Sequence, residues 1–118
     1  MLVVEDDPAI REILALMIQR GGHRVVRATD GVNAIEILAS PERFDVVVTD
    51  AFMPVLDGAG LVQRLRENPA WRAIGVVVVT AAERTSLDPS LHGCILVAKP
   101  IRLDQLLDAI RQAGASAG

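Results

Sequence analysis

The chain has 118 residues, 51% of them hydrophobic, and a net charge of −3. That length accommodates one compact domain with a self-sufficient core and leaves no room for a second folded unit. A mildly acidic chain with 3% aromatic content and no tyrosine lacks the charge to attract nucleic acid and the rings to stack its bases.

The first predicted element is the apolar run Leu2–Val4, a short strand followed by three acids, Glu5, Asp6 and Asp7. Asp7 is placed to cap a helix that Pro8 opens, with Ile10, Ile13, Leu14 and Met17 at three- and four-residue spacing and Gly21-Gly22 as its stop. Residues 24–28 read as a short second strand, interrupted by charge like an edge strand. Asp30-Gly31 then starts a helix carrying Ile35 and Leu38 on one face, and Pro41 marks its exit. Residues 45–50 form a continuously apolar third strand, as expected of a central strand buried on both faces, and it ends in Asp50. Pro54 and Asp57-Gly58 supply turn chemistry before a helix through Leu61, Val62 and Leu65. The fourth strand, Gly75–Thr80, ends in a hydroxyl. Over residues 81–94 the helical pattern weakens, because residues 86–90 hold turn-formers and a proline where a parallel crossover needs a helix. Strand Ile95–Ala98 leads into Lys99-Pro100, and a last helix is expected over about residues 104–112 with Leu106, Leu107 and Ile110 inward. Residues 114–118, rich in glycine, alanine and serine, read as a linker or frayed end after a domain over residues 1–113.

Strands alternating with helices predict an α/β fold, a doubly wound five-stranded parallel sheet. In such sheets ligands bind beyond the carboxyl ends of the strands. Four strand ends here deliver Glu5 and Asp6, Asp50, Thr80 and Lys99 to that edge. Three carboxylates against one ammonium favour a divalent cation, and an all-oxygen donor set suits Mg²⁺ rather than zinc. With such an ion present, an Asp50 oxygen can attack phosphorus while Lys99 offsets charge on the equatorial oxygens, which is phosphoryl transfer to a carboxylate.

This ordered set, with Met53-Pro54 and Asp57-Gly58 after Asp50, resembles the receiver domain of two-component response regulators over nearly the whole chain. The resemblance implies the flavodoxin-like receiver fold with strand order 2-1-3-4-5. It makes Asp50 the phosphoacceptor, Asp6 a metal-binding acid and Glu5 its neighbour, which holds metal-bound water. Phe52 would offer its backbone carbonyl to Mg²⁺. Thr80 and Lys99 would meet the phosphoryl oxygens together with the backbone N–H groups of Ala51 and Ala81. Pro100 matches a proline preceded by a cis peptide bond. The implied donor is a sensor histidine kinase or a histidine phosphotransfer protein, and the readout an output domain or effector.

Two departures from the family pattern stand out. The position three residues before the lysine, usually an aromatic switch, is Leu96, and the segment between Thr80 and Lys99 is shorter than usual. A shortened fourth helix follows. Alternatives are an interaction module of the same fold that works without phosphate, and an aspartyl-nucleophile phosphohydrolase. The latter would carry a second Asp where Phe52 stands. A receiver is otherwise no enzyme beyond its own phosphoryl transfer and autodephosphorylation.

The remaining candidates read as structural. His23 and His92 have no ligand-spaced partners, Cys94 reads as a buried thiol, and Trp71 anchors a loop with protein contact as a second role. Arg64, Arg66, Arg72 and Arg84 are scattered over a solvated face. No signal peptide and no apolar stretch of about 18 residues is present, so neither a membrane nor nucleic acid is an expected partner and a cytoplasmic location is expected.

Overall fold

The computed structural model describes residues 1–81 and 86–117, and among these the chain forms five strands and four α-helices. In chain order they are β1 (Leu2–Val4), α1 (Pro8–Arg20), β2 (Val26–Ala28), α2 (Gly31–Leu38), β3 (Val46–Asp50), α3 (Gly58–Glu67), β4 (Gly75–Thr80), β5 (Ile95–Ala98) and α4 (Leu103–Ala117). The sheet is parallel throughout, in the order β2-β1-β3-β4-β5. This is the doubly wound order expected from the sequence.

Alternation along the central strands divides the core into two layers. Val47, Val76 and Val78 face the buried residues of α2 and α3, among them Ala34, Leu38, Leu61 and Leu65. Val46, Val48, Val77 and Val79 face Leu14 and Ile18 of α1 and Leu106, Ile110 and Ala113 of α4. Every residue of β3 and β4 is buried, which explains why both read as unbroken apolar runs rather than alternating ones.

The helix starts follow local chemistry. Asp7 Oδ1 accepts from the N–H groups of Ala9 and Ile10 at 2.8 and 3.1 Å, satisfying two donors that the first turn leaves open. Asp30 caps α2 through the Asn33 N–H at 2.7 Å, and Asp57 caps α3 through the Gly60 N–H at 2.9 Å. Each cap follows a strand or its loop and aims a helix back along the sheet.

Three expectations change. β2 begins at Val26, where its ladder with the three-residue β1 starts at Leu2; before it, the Arg24 carbonyl accepts from the Met1 ammonium at 2.6 Å rather than from a strand residue. The last helix continues to Ala117, beyond the expected end at Gln112, so residues 114–117 continue the helix rather than forming a linker. Gly114 does not break it, since one glycine costs a helix only about 1 kcal/mol and alanines on either side favour helix. Arg66 is more than a solvated charge, for its Nη1 donates to the carbonyls of Arg72 and Ile74 at 2.7 and 3.0 Å and closes the α3–β4 connection. The crossover before β5 carries a 3-10 turn, Pro89–Leu91, where a fourth helix would lie. Leu87, Leu91 and Cys94 bury themselves there against the α3 side of the core. Residues 82–85, including Arg84, lie outside the described residues. No helix among the described residues is long and apolar enough to cross a membrane.

Candidate phosphoacceptor and metal site

Asp50 closes β3 at the centre of the sheet, and Glu5 and Asp6 follow β1 beside it. One carboxylate oxygen from each of the three lies within 4.8 Å of the others. From the other side, Lys99 Nζ approaches Asp50 Oδ2 at 3.3 Å. The backbone brings it there, because the Lys99 N–H donates to Thr80 O at 3.0 Å and so ties the ends of β4 and β5 together. Thr80 is buried at that junction. The Lys99–Pro100 peptide bond is cis.

Glu5 is the most perturbed member of the cluster. Its side chain is only 1% exposed, its Oε1 accepts from the Asp7 N–H at 3.1 Å, and its Oε2 is buried without a hydrogen-bond partner. Burial pushes its carboxyl up to about 7, the Asp7 N–H opposes the rise, and the nearby Asp50 and Asp6 carboxyls add to it. Above Glu5, Arg11 Nη1 donates to its backbone carbonyl at 3.0 Å and fixes the strand end. An orphaned buried oxygen beside two further carboxylates fits a hard divalent cation, which takes oxygen donors and offsets like-charge repulsion.

The structure also separates the backbone donors that the sequence grouped together. The Ala51 N–H donates to Val79 O at 3.2 Å, since Ala51 prolongs the ladder of β3 against β4, and it is therefore already engaged. The Phe52 N–H is the one that meets the Asp50 carboxylate, at 3.3 Å from Oδ1. Ala81 is exposed at the end of β4. Leu96 lies half-buried on β5, opposite Val78 in the ladder, and packs on the α3 side of the core.

Sequence reading missed Gly58 and Leu56. A Cβ on Gly58 would lie 2.6 Å from Asp50 O and 3.0 Å from Ala51 Cα, so only glycine lets α3 start against the end of β3. The Asp57-Gly58 pair was visible as a turn, but nothing in it announced which strand it would touch. The other candidates stay outside the site. His23 and His92 are half-buried in loops, Cys94 is buried, and Trp71 lines a groove of about 580 Å³ with Leu38, Phe44 and Ile74 near the amino ends of β3 and β4, at the far end of the sheet from Asp50.

Comparison with known proteins agrees with this geometry. The family model described as response regulator receiver domain matches residues 1–111. Response regulator MprA of Mycobacterium ulcerans is 36% identical over 116 residues, covering 94% of this chain and 48% of the relative. Sensor histidine kinase RcsC of Escherichia coli is 36% identical over 107 residues, covering 88% of this chain and 11% of the relative. The chain thus spans about half the length of the first and a small part of the second. Among solved structures, the receiver domain of a sensor histidine kinase from Pseudomonas aeruginosa, with a magnesium ion coordinated in its active-site cleft, superposes with a TM-score of 0.84 at 25% identity, covering 97% of this chain and 95% of that one.

Proposed function

This chain belongs to the response regulator receiver family, and from that membership we propose that Asp50 is the carboxylate that accepts the phosphoryl group, with Mg²⁺ held by Glu5, Asp6, Asp50 and the Phe52 carbonyl. The protein is a phosphoacceptor domain of two-component signalling, and its chemistry is limited to its own phosphoryl transfer and release. The observation that carries the assignment of Asp50 is its position: a carboxylate at the end of a fully buried strand, facing two acids on one side and the Lys99 ammonium at 3.3 Å on the other.

In the transfer, an Asp50 oxygen forms the new P–O bond as the bond from phosphorus to the donor breaks, and the leaving group departs with the bonding pair. Lys99 then pairs with a phosphoryl oxygen in place of the carboxylate, and the Thr80 hydroxyl donates to another. The Phe52 N–H, already aimed at Asp50, is the backbone donor best placed for a third, and Ala81 offers its N–H from the open side. Bound Mg²⁺ supplies charge neutralisation for the acids and the incoming phosphate. Similarity to a sensor histidine kinase supports a phosphohistidine donor, on a kinase or a phosphotransfer protein. A phosphohydrolase reading fails on Phe52, whose apolar, exposed side chain offers no proton where a second acid would be needed.

Incubation with acetyl phosphate and Mg²⁺ followed by intact-mass measurement tests the assignment. One phosphoryl adduct on wild type and none on Asp50→Asn is the expected result; equal labelling of both would refute it.

A further inference from the structure

Val55 has φ 69° and its side chain is 89% exposed. A β-branched residue in the left-handed region is a true outlier, and no contact of its own side chain accounts for it. The Leu56 N–H donates to Pro54 O at 2.9 Å, closing a three-residue γ-turn around Val55 in the rarer, strained hand. Such strain persists only where the surroundings over-determine it.

The next residue supplies that determination. A Cβ on Gly31, the first residue of α2, would lie 2.4 Å from Leu56 O and 2.9 Å from Leu56 Cβ, and one on Gly60 of α3 would lie 2.5 Å from Leu56 Cδ1. Leu56 is therefore seated against the bare backbones of two helix starts. The far end of the loop is fastened as well, since the Gly58 N–H donates to Ala51 O at 3.0 Å. Between these two attachments lies Phe52, whose N–H meets Asp50 Oδ1.

We propose that Leu56 is a positioning residue for phosphoryl transfer: wedged between Gly31 and Gly60, it holds the strained turn at Val55 and thereby keeps the Phe52 backbone against Asp50. The inference rests on the assignment of Asp50 as acceptor. Without the wedge, Val55 relaxes to negative φ and the Phe52 N–H leaves the carboxylate. Gly31 belongs to the same device, because any side chain there would push on the Leu56 carbonyl.

The test compares wild type, Leu56→Ala, Leu56→Met, Gly31→Ala and the double variant Val55→Gly/Leu56→Ala, each shown to be folded by its thermal transition. Labelling by acetyl phosphate with Mg²⁺ should slow by about tenfold to a hundredfold in Leu56→Ala, the range that a displacement near 1 Å produces. Gly31→Ala should slow it in the same way with no group removed. Leu56→Met, which conserves volume, should recover most of the rate. The double variant should recover it too, because glycine occupies φ 69° without strain and no longer needs the wedge. The amide resonance of Phe52 should shift in Leu56→Ala and Gly31→Ala and return in the two rescued proteins. Unchanged labelling and an unchanged Phe52 resonance in Leu56→Ala overturn the proposal, as does a double variant that stays as slow as the single. Absence of an Asp50 adduct on wild type would instead refute the acceptor assignment, and the Phe52 resonance, which needs no phosphoryl chemistry, would still decide the role of Leu56.

Discussion

Glu5→Gln should make the protein more stable at neutral and alkaline pH in the presence of a chelator, and its advantage should vanish in acid. The Glu5 carboxyl is pushed from 4.5 up to about 7 in the folded protein, chiefly by burial. The folded state therefore keeps a proton that the unfolded chain releases near 4.5, and stability falls as pH rises between the two values. The contribution of Glu5 is fully present below 4.5 and lost as pH passes through about 7. At about 1.4 kcal/mol for each tenfold change in proton affinity, the loss amounts to about 3 kcal/mol. Glutamine has the same shape and no charge to desolvate, so the gap between the two proteins should open from near zero at pH 4.5 to about 3 kcal/mol at roughly pH 8, or about 10 °C in Tm for a domain of this size. Urea unfolding of both proteins across that range measures it directly. Added Mg²⁺ should narrow the gap, because wild type alone regains a carboxylate ligand for it. A gap that stays constant with pH would refute the reasoning, for it would mean that the carboxyl is not desolvated as its 1% exposure implies.

Asp6→Asn should leave the fold intact and weaken Mg²⁺ binding by about tenfold or more, roughly 1.4 kcal/mol, as titration calorimetry would show; unchanged affinity would remove Asp6 from the ligand set. Lys99→Ala should still take a phosphoryl group slowly, but amide shifts on labelling should be smaller than in wild type beyond the loops at Asp50 and Thr80, because the ammonium that senses the new dianion is gone. Dimerisation through the β5 face should be weak or absent even with a phosphoryl mimic, since Leu96 has no ring to turn inward and a 3-10 turn stands where a fourth helix would offer contact surface. Sedimentation at tens of micromolar is the measurement, and a phosphate-dependent dimer abolished by changes in β5 would contradict it.

The parts of this molecule that were legible in the sequence are those set by periodicity and caps. The apolar runs ending in Asp50 and Thr80 fixed the strands and the edge where their functional groups meet, and Asp7, Asp30 and Asp57 marked three helix starts within a residue. What stayed hidden depends on which backbone approaches which. Ala51 sits beside Asp50 in sequence, but its N–H goes to Val79 O of β4, and it is the Phe52 N–H that meets the Asp50 carboxylate. Glu5 looks like an ordinary acid until its burial is known, and the glycine at 114 looks like a helix stop although α4 continues to Ala117. The wedge at Leu56 draws on Gly31 and Gly60, which lie on different helices, and no local pattern joins them.

The burial of every residue in β3 and β4 has a consequence for how the protein opens. Amides in such strands exchange with solvent only when the whole domain unfolds, whereas loops and short turns with few buried contacts open at far lower cost. Asp50, the last residue of β3, thus belongs to the last unit to come apart. A carboxylate fixed at the end of that strand keeps its place through any smaller opening elsewhere, so a change in the loops around it need not loosen the strand that holds it.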